Sequence, residues 1–142
     1  MAKRNNDAQD IAGLLFWVTE QARMGCDRAA EENDMTGAQV RALLSLDEPS
    51  PMSSLAGHMG CDASNVTGIA DRLEARGMIR RETGTDRRIK LLALTPEGEK
   101  VRDQVRKRLS ETSPAGSLSD AERSTLKKLL VKMAEPKEQP AP

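Results

Sequence analysis

The stretch from Met52 to Leu73 constrains the fold more than any other part of this 142-residue chain. It places the small residue Ala56 inside one amphipathic segment and Gly60 four positions later, where a sharp turn is needed. The segment after the turn has apolar residues at helical spacing, namely Val66, Ile69 and Leu73. These are the requirements of a helix-turn-helix, in which two short helices cross closely. A helical hairpin within a bundle has the same spacing, so this pattern alone leaves both interpretations open.

The opposite face of the second segment is small and polar, and Asp62 stands where a residue could cap its first turn. The residues on this face are Ser64, Asn65, Thr67, Gly68 and Arg72. A helix of this kind suits the major groove of DNA, because bulky side chains would block the approach and short ones reach base edges.

A polar loop between two short apolar segments follows this helix and favours the helix-turn-helix interpretation. Gly77 is expected to end the helix in a left-handed conformation. Residues 78–81 and 89–94 are predicted to be two strands of a hairpin, a wing, with two arginines near its tip. An arginine on such a projection fits the narrow minor groove of DNA. Without a helix-turn-helix before it, the same loop would be interpreted as a solvated charged turn. The charged residues near the tip are Asp86, Arg87 and Arg88.

Capping signals mark the starts of four further helices. Two of the capping residues have Gln or Glu three positions later, which is the capping-box spacing, and two are followed by proline at the first helical position. The capping residues are Thr36 and Ser119 in the first pair and Ser50 and Thr95 in the second.

Helical segments at both ends of the chain carry apolar stripes that need a covering surface. These segments are residues 8–32, 96–112 and 119–134. The winged unit is one surface that could cover them, and the same helices of a second chain are another. We expect a second chain, because two-fold dimers are the commonest closed assembly. A dimer would also place two copies of the second helix of the helix-turn-helix, the recognition helix, about one DNA turn, ~34 Å, apart on a pseudo-palindromic site.

Charge distribution and composition narrow the function classes. The net charge is zero, but residues 71–108 hold twelve basic and seven acidic side chains, while the remainder is acidic. This asymmetry indicates a surface that faces a polyanion. No membrane span, signal peptide or disulfide framework is visible, so a cytoplasmic location is expected. With one histidine, His58, and no nucleophile–base pair or phosphate loop, neither an enzyme, a metal site nor a cofactor is expected.

Six short motifs occur along the chain in a definite order and spacing: Thr36–Gln39, Leu55–Ala56, Ser64–Thr67, Asp71–Arg81, Asp86–Arg88 and Leu94–Gly98. Each is weak alone, but together they resemble the MarR family of bacterial regulators over about residues 8–134. The resemblance implies a helical dimerisation region around winged helix-turn-helix lobes. It also implies a regulator, usually a repressor, that responds to small anionic or phenolic ligands or to oxidants.

The predicted fold is mainly α, with a small β-hairpin wing and a winged helix-turn-helix flanked by dimerisation helices. Residues 36–95 are expected to be the DNA-binding lobe, and residues 1–35 and 96–135 the dimerisation region. Residues 136–142 contain three prolines and are expected to be a flexible tail. The expected function is a dimeric, sequence-specific regulator of transcription that binds double-stranded DNA, a ligand- or stress-responsive repressor.

A winged-helix interaction module or anti-repressor without DNA binding is the alternative function. Two features of the sequence are compatible with this alternative. The chain outside the basic segment is acidic, and Gly68 stands where many family members carry a basic residue.

Carried over by position, the resemblance makes residues 62–76 the recognition helix. It implies that Ser64, Asn65 and Thr67 meet bases and phosphates, and that Arg72 meets the DNA backbone. Because Gly68 is not basic, one groove contact of the family is expected to be absent here.

The resemblance also assigns roles in the wing. Arg88, supported by Asp86, would enter the minor groove, and Arg87 would lie near a phosphate. The loop of residues 81–86 is one residue shorter than is common in the family, so the wing tip is expected to have a different direction.

A ligand pocket in this family lies between the first helix, the second helix and the winged lobe. The residues of this chain that could line it are Phe16, Trp17, Met24 and Arg41. Core packing is the simpler interpretation of Phe16 and Trp17, and a surface charge is the simpler interpretation of Arg41.

The two cysteines, Cys26 and Cys61, are candidate redox sensors, because some family members sense peroxide through a thiol. That thiol is activated by nearby tyrosines, and this chain has none. A small packed residue is the ordinary role of a free cysteine, and it is the favoured interpretation of both.

Overall fold

The computed structural model describes residues 2–135, with side chains from Asp7 onward. The tail predicted at residues 136–142 lies outside the described residues. This range contains six α-helices and a small sheet, and a short 3-10 helix follows the fifth α-helix. The helices are α1 (Ala2–Glu32), α2 (Gly37–Leu44), α3 (Met52–Met59), α4 (Ala63–Ala75), α5 (Pro96–Thr112) and α6 (Asp120–Ala134). The 3-10 helix is Pro114–Ser117, and the strands are β1 (Ser50–Pro51), β2 (Ile79–Thr83) and β3 (Lys90–Leu94). The mainly helical winged fold is therefore confirmed.

Three of the five predicted helix caps are confirmed, and those at Ser50 and Asp62 are not. The Gln39 backbone N–H donates to Thr36 Oγ1 at 3.2 Å, and the Gln39 side chain accepts from the Thr36 backbone at 3.0 Å. Ser119 makes the same box at the start of α6. Thr95 Oγ1 accepts from the Gly98 backbone N–H at 3.1 Å at the start of α5.

The cap predicted at Ser50 is wrong. Helix α3 begins at Met52, and Ser50 and Pro51 form an edge strand that pairs with Leu92 and Leu91 of β3. The Ser50 hydroxyl donates backwards to the Glu48 carbonyl at 3.0 Å rather than capping α3. A proline is tolerated here because an edge strand does not need every N–H group.

The sheet has three antiparallel strands in the order β1-β3-β2, where the sequence predicts a two-stranded hairpin. The wing itself is the β2–β3 pair, with Ile79 opposite Leu94 and Thr83 opposite Lys90. Strand β3 lies in the middle and buries Leu92 against the helices. This buried strand fixes the base of the wing while its tip extends into solvent.

The helix-turn-helix is formed by α3, a turn at Gly60 and α4. Gly60 has a left-handed conformation with φ of 61°, which an L-residue adopts with difficulty. The Cys61 backbone N–H donates to the Ala56 carbonyl at 3.2 Å and closes the turn. The crossing buries Val66 and Leu73 of α4, which fixes the opposite face of this helix toward solvent.

The main core belongs to the winged lobe and to the helices that touch it. Its largest fully buried side chains are Val40, Leu43, Leu46, Val66, Leu73, Leu92 and Val105. By contrast, Phe16 and Trp17 of α1 are 79% and 61% exposed, so packing in the core of this chain is the wrong interpretation of both. All residues of α6 are exposed as well, including the apolar Leu129.

Candidate nucleic-acid interface

Helix α4 presents its predicted polar face to solvent. The side chains of Ser64, Asn65, Thr67 and Arg72 are exposed, while the opposite face of α4 packs into the core. Asp62 is the N-cap residue in extended conformation, but its side chain makes no capping hydrogen bond. The exposed residues of α4 are therefore available to an external partner along two turns of helix.

Thr67 differs from its neighbours on this face because its hydroxyl already has protein partners. Thr67 Oγ1 donates within α4 to the Ala63 carbonyl at 3.0 Å and lies 3.3 Å from Met52 Sδ. A hydroxyl has one proton, so toward DNA this residue offers its acceptor lone pairs and its methyl group. Apolar contact with a thymine methyl is one use of such a group.

The wing tip is organised around Asp86. The Asp86 carboxylate accepts from the Arg88 backbone N–H at 3.0 Å, and its carbonyl accepts from the Ile89 backbone N–H at 3.0 Å. The Arg88 guanidinium lies 3.9 Å from the carboxylate and is 93% exposed. Asp86 thus fixes the backbone from which Arg88 projects and leaves the guanidinium itself accessible.

Arg81 joins the wing to the recognition helix, a role that the sequence reasoning missed. Its guanidinium lies on strand β2 and pairs with Asp71 at 2.5 Å and with Glu74 at 3.2 Å, both on α4. The hydrogen bond to Asp71, together with the two nearby carboxylates, raises the pKa of Arg81 above its usual value. The only sequence signal for this contact is the spacing of two carboxylates one turn apart on α4.

Arg76 makes a second connection that the sequence reasoning missed, at the C-terminal end of α4. Its guanidinium donates to the carbonyls of Asp34 at 2.5 Å and Asn33 at 3.0 Å, in the turn after α1. Asp34 has a φ of 53°, an uncommon conformation for a residue other than glycine. The C-terminal part of the recognition helix is thus attached both to the wing and to the turn that follows α1.

Arg41 lies beside the recognition helix, where the sequence reasoning did not expect it. It lines a cleft of about 380 Å³ between α2, the turn at Gly60 and α4 from Ser64 to Arg72. The cleft is lined by Ala38, Arg41, Met59, Cys61, Ser64, Asn65, Gly68, Ile69 and Arg72. Four of the proposed DNA-contacting residues therefore share one cleft with Arg41.

A second cavity, of about 260 Å³, lies between α1, α5 and the 3-10 helix. It brings together Trp17 and Met24, two of the four candidate pocket residues, whereas Arg41 lines the other cleft. Arg28 and Arg108 give this second cavity its cationic character, and Arg108 also pairs with Glu32 at 3.1 Å. Its lining is Trp17, Gln21, Met24, Gly25, Arg28, Arg108, Thr112 and Pro114.

Cys26 and Cys61 are free thiols that pack partly against the core. Burial raises the pKa of the Cys26 thiol, and the nearby Arg41 lowers it by less. A raised pKa reduces the thiolate fraction at neutral pH and with it the reactivity. This environment favours the packing role of Cys26, and the sensing role of both cysteines stays a hypothesis.

The described residues contain neither a cluster suited to a metal ion nor a helix suited to a membrane span. No group of three His, Cys, Asp or Glu side chains there could hold a metal ion, and His58 Nδ1 lies 2.8 Å from the Ser54 carbonyl of its own helix. No helix within residues 2–135 is long and apolar enough to cross a membrane.

Comparison with known proteins agrees with this geometry. A family model described as the MarR family matches residues 35–90. The chain is 30% identical over 97 residues to the uncharacterized HTH-type transcriptional regulator YwoH of Bacillus subtilis, a match that covers 65% of this chain and 71% of the relative. Among solved structures, CouR of Rhodococcus jostii RHA1, crystallised with p-coumaroyl-CoA, superposes with a TM-score of 0.76 at 26% identity. That match covers 94% of this chain and 97% of CouR.

The wild-type MarR of E. coli in its apo form shares the fold alone, with a TM-score of 0.68 at 24% identity over 87% of this chain and 95% of that one. Residues 35–90, which the family model matches, contain the turn, the recognition helix and most of the wing. These are the parts that form the candidate interface. The protein is a member of the MarR family of winged helix-turn-helix transcriptional regulators.

Proposed function

We propose that this protein is a dimeric, sequence-specific repressor that binds a pseudo-palindromic operator and releases it in response to a small ligand. The observation that carries this proposal is the exposed polar face of α4 beside a wing whose Arg88 is almost fully accessible. In this proposal residues 36–95 are the DNA-binding lobe, and residues 1–35 and 96–135 form the dimerisation region.

The roles of the interface residues follow from their chemistry. Asn65 is exposed in the first half of α4, and an amide can donate to and accept from one adenine. Ser64 and Thr67 read neighbouring base edges or phosphates, and Arg72 neutralises backbone phosphate. Gly68 has no side chain that would hold the DNA away from the helix, and its Cβ position faces open space rather than another part of the protein.

In the wing, Arg88 enters the minor groove and Arg87 lies near phosphate. Both side chains are exposed, and Asp86 holds the backbone between them and β3. A guanidinium is attracted into a narrow minor groove because the negative potential is enhanced there. The wing therefore adds to the affinity for DNA. Its contribution depends on the width of the minor groove beside the bases that α4 reads.

Dimerisation is supported by the apolar residues that this chain leaves uncovered. Exposed apolar side chains occur along both terminal helices, α1 and α6, and clusters of exposed apolar residues mark surfaces that bind another protein. The residues are Ile11, Leu14, Phe16, Trp17, Val18, Leu126, Leu129, Leu130, Val131 and Met133. A second copy of the chain would bury them and fix the spacing of the two recognition helices.

An effector is supported by the cavity between α1 and α5. An aromatic side chain, Trp17, and two guanidiniums, Arg28 and Arg108, line it, and these groups fit a small aromatic or acyl anion. CouR, a relative, was crystallised with p-coumaroyl-CoA, which carries both an aromatic group and negative charge. A ligand that took Arg108 away from Glu32 would change how α5 packs on α1.

The proposal is tested by electrophoretic mobility shift with the DNA upstream of the protein's own gene. We expect a discrete complex at low ionic strength that weakens as salt rises and as a cognate aromatic acid is added. A panel of aromatic acids and acyl thioesters screened by thermal shift should identify the ligand, since binding to the folded state raises the melting temperature. Equal binding to unrelated duplexes would contradict sequence specificity, and a panel without a thermal shift would contradict the effector class.

A further inference from the structure

We propose that the cleft beside the recognition helix, formed by Arg41, Cys61, Ser64, Asn65 and Arg72, seats a DNA phosphate between its two guanidiniums. This inference rests on the proposed DNA-binding function and extends it to Arg41, on a different helix. The cleft, of about 380 Å³, opens on the surface that α4 would turn toward DNA. Arg41 and Arg72 line it from its two walls, α2 and α4.

The side chains that line the cleft carry positive charge and no negative charge. None of the nine residues that line it is acidic. Asp27, on α1, is outside this lining: its Oδ2 pairs with Arg23 at 3.4 Å, while its Oδ1 lies against Gly37 together with Arg41 Nη1 but makes no ion pair with Arg41. Two positive charges facing a cleft without an anion favour an external anion there.

Most other arginines of the described residues are already paired. Seven of them form ion pairs within 3.6 Å of a carboxylate, and Arg76 donates to backbone carbonyls. Arg41 and Arg72 have no ion pair with any residue from 7 to 135. The seven paired residues are Arg23, Arg80, Arg81, Arg102, Arg106, Arg108 and Arg123. The two arginines of the cleft are therefore left with their charge available to an incoming phosphate.

The polar groups of the cleft also suit a DNA phosphate. Ser64 and Asn65 lie in the first turn of α4, where the helix dipole adds partial positive charge and free backbone N–H groups. Gly68 contributes no side chain, and Arg41 on α2 supplies a cation to the same cleft. A phosphodiester can thus be held from α2 and α4 while the bases next to it are read by Asn65.

The experiment measures DNA affinity against salt concentration for the full-length wild type, Arg41→Gln, Arg41→Lys and Lys128→Gln. Lys128→Gln removes the same charge from exposed α6 and is the control. A phosphate contact contributes about 0.9 to the slope of log affinity against log salt. We expect Arg41→Gln to reduce the slope by about 0.9 per chain, equally on operator and non-operator duplexes, while the other two variants keep the wild-type slope.

Equal slopes in Arg41→Gln and wild type, or an equal loss in Arg41→Lys, would overturn the inference. Circular dichroism and a melting curve establish that each variant is folded. A wild type that binds no duplex at all would instead refute the proposed function, which separates the two failures.

A second measurement needs no variant. Cys61 is half-buried in the wall of the same cleft, so saturating operator DNA should slow its alkylation by iodoacetamide several-fold, as read from its peptide by mass spectrometry. The Cys26 peptide, on α1, is the internal reference. An unchanged rate at Cys61 would show that no DNA backbone enters the cleft.

Discussion

Gly98 gives the sharpest test of the packing at the base of the wing. It lies near the start of α5, and a Cβ at this position would stand 1.9 Å from the Met78 carbonyl oxygen and 2.9 Å from its carbon. Both atoms are backbone, so they cannot move aside as a flexible side chain would. Replacing Gly98 by alanine therefore forces α5 away from the segment that leads into β2.

The expected cost follows from the contacts at this junction. The Thr95 backbone N–H donates to the Met78 carbonyl at 3.0 Å, and Thr95 caps α5 through the Gly98 N–H. Weakening the hydrogen bond and the cap costs about 1 kcal/mol each, and overpacking costs about 1–3 kcal/mol. Alanine regains about 1 kcal/mol of helix propensity. The net loss is roughly 2–4 kcal/mol, which lowers the melting temperature by roughly 7–13 °C for a domain of this size.

The assay is thermal and urea unfolding of Gly98→Ala at one fixed protein concentration, because dimerisation would make stability depend on concentration. Gly57→Ala is the matched control, since a Cβ at this helical position meets no atom within 4 Å. The control should gain up to about 1 kcal/mol. A Gly98→Ala protein as stable as the control would refute the reasoning.

Four further predictions concern DNA reading, assembly and pH. Asn65→Ala should relax the preference at one base pair by about 1–3 kcal/mol, measured by competition with single-base operator variants; an equal loss on all sequences would contradict direct reading. Arg88→Ala should weaken operator binding about tenfold, or ~1.4 kcal/mol, in a mobility-shift titration, and an unchanged affinity would remove the wing from the interface. Leu129→Asp should convert the dimer to monomers in sedimentation velocity, because it puts charge on an exposed apolar face; a persistent dimer would place the interface elsewhere. Burial raises the pKa of the Cys26 thiol, so as pH rises the thiol loses its proton in the unfolded chain before it does so in the folded one. The free energy of unfolding should therefore fall as pH rises through the ordinary thiol pKa of about 8.5. Cys26→Ser should flatten that fall in urea titrations, and an identical slope would contradict it.

Local features of the fold could be predicted from the sequence because their causes lie within a few residues. The caps at Thr36 and Ser119 each satisfy backbone N–H groups within the same turn, so their spacing is visible in the sequence. Gly60 and Gly77 both have positive φ, as expected where a helix ends sharply. The polar face of α4 was predicted for the same reason, since it depends on helical periodicity alone.

Contacts between distant segments could not be predicted in this way. Ser50 and Pro51 have the composition of a helix start, but pairing with β3 decides their structure. Arg76 reaches carbonyls more than forty residues away, and Arg41 shares a cleft with Arg72 only because α2 packs against α4. Nothing in the spacing of these arginines indicates their partners.

The exposed aromatics of α1 show a different limit. An apolar stripe predicts that Phe16 and Trp17 will be covered, but it does not say whether the cover comes from the same chain or from another. Their exposure in a single chain is the strongest structural support for the proposed dimer.

The most direct test of the central claim is a hydroxyl-radical footprint of the protein on the duplex upstream of its own gene, with the stoichiometry measured on the same complex by analytical ultracentrifugation. The account predicts two chains per duplex and two protected regions centred about one helical turn, ~34 Å, apart. A monomer that leaves the duplex unprotected at low ionic strength would contradict it.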